Sequence, residues 1–165
     1  MPMFYLETSA LLKKYRTESG TDVVRELFEG KSDAEAFITS YFTVLEVISV
    51  ARRLLAAGTL NRRLHQRILG NFERDLREAV MLQSVSDSVI MEAVRQSVTY
   101  VLRAPDAVHL ATAVRANAVS SEPFYFVGSD AKLVAACENA GLAILNPEAP
   151  GALDLLRSHR SSVAE

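Results

Sequence analysis

The sequence predicts an α/β fold, a three-layer sandwich with a mainly parallel central sheet. Two observations predict it. Five short apolar runs, at Met3–Leu6, 36–39, 80–82, Phe124–Val127 and 142–145, are too short for helices and apolar on both faces, as strands covered on both sides must be. Between them the apolar spacing lengthens to the helical period, and strands that alternate with helices build parallel sheets. The 165 residues match one ordinary domain, long enough to bury a core without disulfides or metal staples.

Taken in order, "MFYL" is the first strand, and "ETSALLKKY" carries it at once into a helix. The run "AFIT" leads into a helix over about 41–57, where Val44, Ile48, Ala51 and Leu55 share a face and Gly58 ends the pattern. Leu60, Leu64, Ile68, Phe72 and Leu76 recur every four residues and define a second long helix, with its arginines on the other faces. After "VML", Ser86 and Asp87 can cap a helix that runs to about Tyr100. Pro105 stands in the first turn of "PDAVHLATAVRA", a position that suits proline. "FYFV" is followed by Gly128-Ser129-Asp130, which opens "DAKLVAACENAG". Gly141 stops that helix, and the last strand ends at Asn146-Pro147. The organisation expected is a single domain over 1–150, with a short helix, "ALDLLRSH", and a polar tail over 151–165.

Composition narrows the class. Hydrophobic residues make up 49% and charged residues 23%, the balance of a soluble globular protein rather than a disordered one. Cys137 is the single cysteine, which excludes an intrachain disulfide and a Cys-rich zinc site and fits a reducing compartment. No apolar run approaches the roughly 20 residues of a membrane span, and Met1-Pro2-Met3 does not lead into a secretory signal, so a cytoplasmic location without membrane attachment is expected. The net charge of −2 argues against a general nucleic-acid coat protein. Its distribution is uneven. Between Arg52 and Arg77 seven arginines face only Glu73 and Asp75, which leaves the rest of the chain at about −7. A polyanion-binding face beside an acidic site has this pattern, and so does a solvated, arginine-rich helix face.

Four acids carry the chemistry. Glu7 closes the first strand, Asp130 lies just beyond "FYFV", Glu46 falls in the first turns of the helix after "AFIT", and Asp106 follows Pro105. Ligands of parallel sheets bind beyond the carboxyl ends of the strands, where these positions can converge. Two unit charges about 4 Å apart repel by about 4 kcal/mol at an effective dielectric of 20, a penalty that a hard, oxygen-loving cation such as Mg²⁺ or Mn²⁺ removes. Helix capping and the macrodipole account for Asp106 or Asp130 taken singly. Glu46 inside "TVLEVISV" is harder to explain, because an unpaired acid in apolar surroundings is expensive. Thr8 is expected to cap the helix after Glu7, and His109, flanked by Val108 and Leu110, to pack or hydrogen-bond rather than to act as a catalytic base.

The stretches "FYLETSALLKKY", "TVLEVISVARR", "LRAPDAVHLATAV" and "FVGSDAKLVAACENAGLAILNP", in this order, resemble the PIN-domain family, in particular the VapC-type toxins of bacterial toxin–antitoxin pairs. The resemblance implies a Mg²⁺- or Mn²⁺-dependent endoribonuclease whose acidic metal pocket is Glu7, Glu46, Asp106 and Asp130. Ser9 matches the family's small hydroxyl residue after the first acid. The resemblance further implies silencing by a cognate antitoxin, with an arginine or similar group inserted into the acids, and a homodimer formed through the helices around 41–77. RNA backbone would then lie along Arg52, Arg53, Arg62, Arg63 and Arg67. The chain departs from the family pattern at Glu7, where the family has aspartate. One extra methylene moves the carboxylate, and Mg²⁺ tolerates misplaced oxygens poorly. Two readings follow: a ribonuclease toxin, attenuated or not by Glu7, and a catalytically weak or inactive PIN-fold protein that acts by binding antitoxin or RNA. A phosphoacceptor receiver domain, a third class with acids at strand ends, would need an aspartate–lysine pair that cannot be placed here.

Overall fold

The computed structural model describes residues 2–163. Five strands, β1 (Met3–Leu6), β2 (Ala36–Ser40), β3 (Val80–Gln83), β4 (Phe124–Val127) and β5 (Ala143–Leu145), form one sheet in the order β3-β2-β1-β4-β5. Every neighbouring pair is parallel. The chain therefore winds outward from β1 in both directions, and the order reverses between β1 and β4. In parallel sheets such a reversal is where a ligand crevice is expected, beyond the carboxyl ends of the strands.

The helices are α1 (Thr8–Leu12), α2 (Thr21–Glu29), α3 (Tyr41–Ala56), α4 (Arg62–Glu78), α5 (Asp87–Tyr100), α6 (Ala104–Val119), α7 (Ala131–Asn139) and α8 (Ala152–Val163). They cover both faces because the strands alternate two apolar sets. Phe4, Leu6, Phe37 and Val127 pack with Leu11, Val47, Phe72 and Leu156, whereas Tyr5, Ile38 and Phe126 pack with Val89, Leu110 and Leu133. Each fully buried side chain of this kind stabilises the fold by about 1.5–3 kcal/mol.

Helix α2 does not follow from the strand-and-helix pattern drawn above. Its buried Val23, Val24 and Leu27 recur at helical spacing, but the segment is short and lies between polar residues. Arginine-rich α4 is fastened beside α1 by Asp75, a buried carboxylate that accepts from Lys14 Nζ and from the Tyr15 hydroxyl, both at 2.6 Å. Helix α8 docks through the buried Ala152 and Leu156, and Arg160 donates to the carbonyls of Glu26 (3.0 Å) and Leu27 (2.7 Å) and to the buried Glu35 carboxylate. The end of the polar tail, residues 164 and 165, lies outside the described residues. Among the described residues no helix is long and apolar enough to cross a membrane.

Candidate functional site

A cavity of about 480 Å³ opens above the carboxyl end of β1, with Glu7, Ser9, Glu46 and Asp106 in its wall. The sheet fixes the first of these. The Glu7 amide donates to the Val127 carbonyl at 3.1 Å, continuing the β1–β4 ladder by one residue, and the Thr39 hydroxyl donates to the adjacent Leu6 carbonyl at 2.6 Å. Glu7 is the N-cap residue of α1, yet its side chain makes no capping bond. Its carboxylate instead accepts from the Ser9 hydroxyl.

Glu46 reaches the cavity from the second turn of α3, which Ser40 caps by accepting from the Phe42 amide at 3.1 Å. Its Oε2 lies 2.5 Å from the Thr8 hydroxyl and 2.7 Å from His109 Nε2. Burial pushes the Glu46 carboxyl up, but the bonds from His109 and Thr8, with the His109 and Arg103 charges, outweigh it and hold the group below its ordinary value. His109 itself is 1% exposed on α6, and its Nδ1 lies 2.9 Å from the Tyr5 hydroxyl. Burial keeps the Tyr5 phenol protonated. The phenol and Nδ1 share this bond, and on the other side of the ring Nε2–H donates to the Glu46 carboxylate.

Asp106 projects from the first turn of α6, where Arg103 Nε donates to its Oδ2 at 3.0 Å. Asp130 stands apart. It is exposed, caps α7 by accepting from the Leu133 amide at 2.9 Å, and is not part of the cavity wall. Its charge nevertheless acts on Arg103, as do those of Asp106 and Glu46. Three of the four sequence-predicted acids thus share the cavity, and the fourth is not part of its wall. Of the five arginines proposed for RNA, Arg53 lines the cavity, whereas Arg52, Arg62, Arg63 and Arg67 are exposed on α3 and α4 outside it.

The donor set is all oxygen, three carboxylates and a serine hydroxyl, which suits Mg²⁺ or Mn²⁺ better than a soft metal. Glu7, Glu46 and Asp106 are the groups able to hold such an ion. Each is occupied by a donor of the chain itself, and among the described residues no three His, Cys, Asp or Glu side chains close on one point. Thr8, expected as a cap, instead holds Glu46. The roles of Thr8, Tyr5 and Arg103 escape sequence reasoning. A signal existed only for Arg103, three residues before Asp106 at the spacing of a helical ion pair.

The family model of the PIN domain matches residues 4–122. Two ribonucleases of Mycobacterium tuberculosis, VapC45 of strain CDC 1551 / Oshkosh and VapC49 of strain ATCC 25618 / H37Rv, are each 32% identical over 117 residues, 69% of this chain and 76% of theirs. Among solved structures, FitAB bound to an IR36 DNA fragment is similar with a TM-score of 0.64 at 16% identity, covering 90% of this chain and 97% of the other. VapBC2 from Rickettsia felis, bound to a DNA fragment from its promoter, follows with a TM-score of 0.63 at 10% identity, covering 86% and 96%.

Proposed function

Because the chain belongs to the PIN-domain family, we propose that it is a divalent-metal-dependent endoribonuclease toxin that a cognate antitoxin neutralises. The observation that carries this reading is the convergence of Glu7, Ser9, Glu46 and Asp106 on one cavity beyond the carboxyl end of β1. These residues would hold Mg²⁺ or Mn²⁺, whereas Asp130, expected in the same set, caps α7 outside the cavity wall. A bound ion supplies Lewis acidity, neutralising phosphate charge and easing deprotonation of water.

The chain's own residues do the rest. His109 and Thr8 hold Glu46 ionised and aimed into the cavity, and Ser9 orients Glu7. Arg53, at the end of α3, offers a guanidinium to the phosphate backbone, and Arg52, Arg62, Arg63 and Arg67 extend the basic surface from there. The antitoxin would enter with a cationic group directed at the acids. A second copy would cover the exposed Tyr41, Leu45 and Ile48 of α3, an apolar stripe at helical spacing.

Purified protein with Mn²⁺ or Mg²⁺ should cut structured RNA, and an Asp106→Asn variant should not. Equal cleavage by both would remove the metal site. Glu7, one methylene longer than the family's aspartate and tied to Ser9, favours a second reading, a PIN-fold protein that acts by binding antitoxin or RNA.

A further inference from the structure

Two guanidinium groups line the acid cavity, and they stand on opposite electrostatic footings. Arg53 lies in the last turn of α3, where the helix dipole welcomes a cation. Arg103 is the N-cap residue of α6, at the positive end of that helix, where a cation is disfavoured. It makes no capping bond through its side chain. Helix stability therefore does not explain Arg103, but the acids do. Its Nε lies 3.0 Å from Asp106 Oδ2, and the charges of Asp130 and Glu46 act on it as well. The side chain of Asp106 is 14% exposed whereas that of Arg103 is 78% exposed, so the acid is fixed in the wall and the arginine hangs over it from solvent.

We infer that Arg103 is the resident counter-ion of the cavity, which holds Asp106 in the metal-free protein and gives way when a divalent cation binds. The inference rests on the metal-dependent reading above. An exposed ion pair is weak, so a dication can displace it without unfolding anything nearby. The short path from Arg103 to Asp106 keeps the released guanidinium at the cavity mouth, where a phosphate of RNA is a matching bidentate partner. Metal entry and substrate contact are then linked through one side chain: Arg103 opposes the first and assists the second.

The test is Mn²⁺ binding without RNA, followed by electron paramagnetic resonance on the full chain, with circular dichroism to verify folding. An Arg103→Gln variant should bind Mn²⁺ about three- to tenfold more tightly than the parent, because one positive charge has left the neighbourhood of a dication. The same variant should bind RNA more weakly in the presence of Mn²⁺. Arg77→Gln, which removes an exposed arginine paired with Glu73 on α4, should leave Mn²⁺ affinity unchanged. Equal or weaker Mn²⁺ binding by Arg103→Gln would overturn the inference while leaving the metal site standing. If the parent and Arg103→Gln bind Mn²⁺ no better than Asp106→Asn, the metal-dependent reading fails and this inference with it.

Discussion

His109 Nε2 lies 2.7 Å from the Glu46 carboxylate while its Nδ1 lies 2.9 Å from the Tyr5 hydroxyl, so one buried imidazole ties β1, α3 and α6 together. Truncating it would leave a cavity, strip the Tyr5 hydroxyl of a hydrogen-bond partner and free Glu46 to turn. A His109→Ala variant should lose about 3 kcal/mol of unfolding free energy in urea titrations. A loss below about 1 kcal/mol would mean that the imidazole is not the strut described here.

Glu7 is held at both ends, by the Val127 carbonyl at its amide and by Ser9 at its carboxylate. A Glu7→Asp variant shortens the reach by one methylene and removes one rotatable bond while the backbone stays in the ladder. Cleavage of structured RNA with Mn²⁺ should rise about tenfold in kcat, because positioning errors well under an ångström are costly at such a site. If neither form cleaves although both bind antitoxin, the binding-only reading is the better one.

The sheet was legible because strands buried on both faces must be apolar throughout, and "MFYL", "AFIT" and "FYFV" meet that demand. The acids were legible for the complementary reason: Glu46 inside an apolar helix needs a partner. What the sequence does not carry is who that partner is. Thr8 and His109 lie 38 and 63 residues from Glu46 and meet it only through the packing of α1, α3 and α6. Asp130 shows the opposite limit, since the residue type and helix-start position that suit a metal ligand equally suit the cap that it forms on α7. Helix α2 escaped although Val23, Val24 and Leu27 recur at helical spacing, because its nine residues give only about two turns of the pattern between polar segments.

Val101 ends α5 in the left-handed region, at φ 53° and ψ 46°, with the Leu102 amide donating to the Ser97 carbonyl at 3.1 Å. This is the position that glycine or asparagine fills at a helix end, and a β-branched residue is strained there. The side chain is 71% exposed, so little burial offsets the strain. Val101→Asn should therefore raise the unfolding free energy by about 1 kcal/mol, read from the urea midpoint. A loss of stability would show that the valine makes a contact of value in solution.

Arg160 joins α8 to the body of the protein by bonding the last carbonyls of α2 and both oxygens of Glu35. Gly30 makes room for it, since a Cβ there would lie 2.3 Å from Arg160 Nη1. Glu35 is buried, so removing the guanidinium takes away the cation that pairs with its charge and leaves it the Ser32 amide as donor. Arg160→Ala should cost about 3 kcal/mol, and adding Glu35→Gln should recover part of the loss, because the second change removes the stranded charge. Strict additivity of the two changes in urea titrations would contradict the pairing.

His159 precedes Arg160 on α8, and its Nδ1 lies 2.9 Å from the Tyr125 hydroxyl of β4. Burial lowers its pKa below the ordinary 6.5, with Glu35 pulling it up and Arg160 pushing it down. The sign follows directly. As pH falls below about 6.5 the unfolded chain takes up the proton before the folded one does, so the folded state loses stability until the depressed value is passed. Stability of the parent should therefore fall more steeply between about pH 7 and 5.5 than that of a His159→Gln variant, with the difference vanishing above about pH 7.5. Parallel stability curves over that range would remove His159 from the pH response.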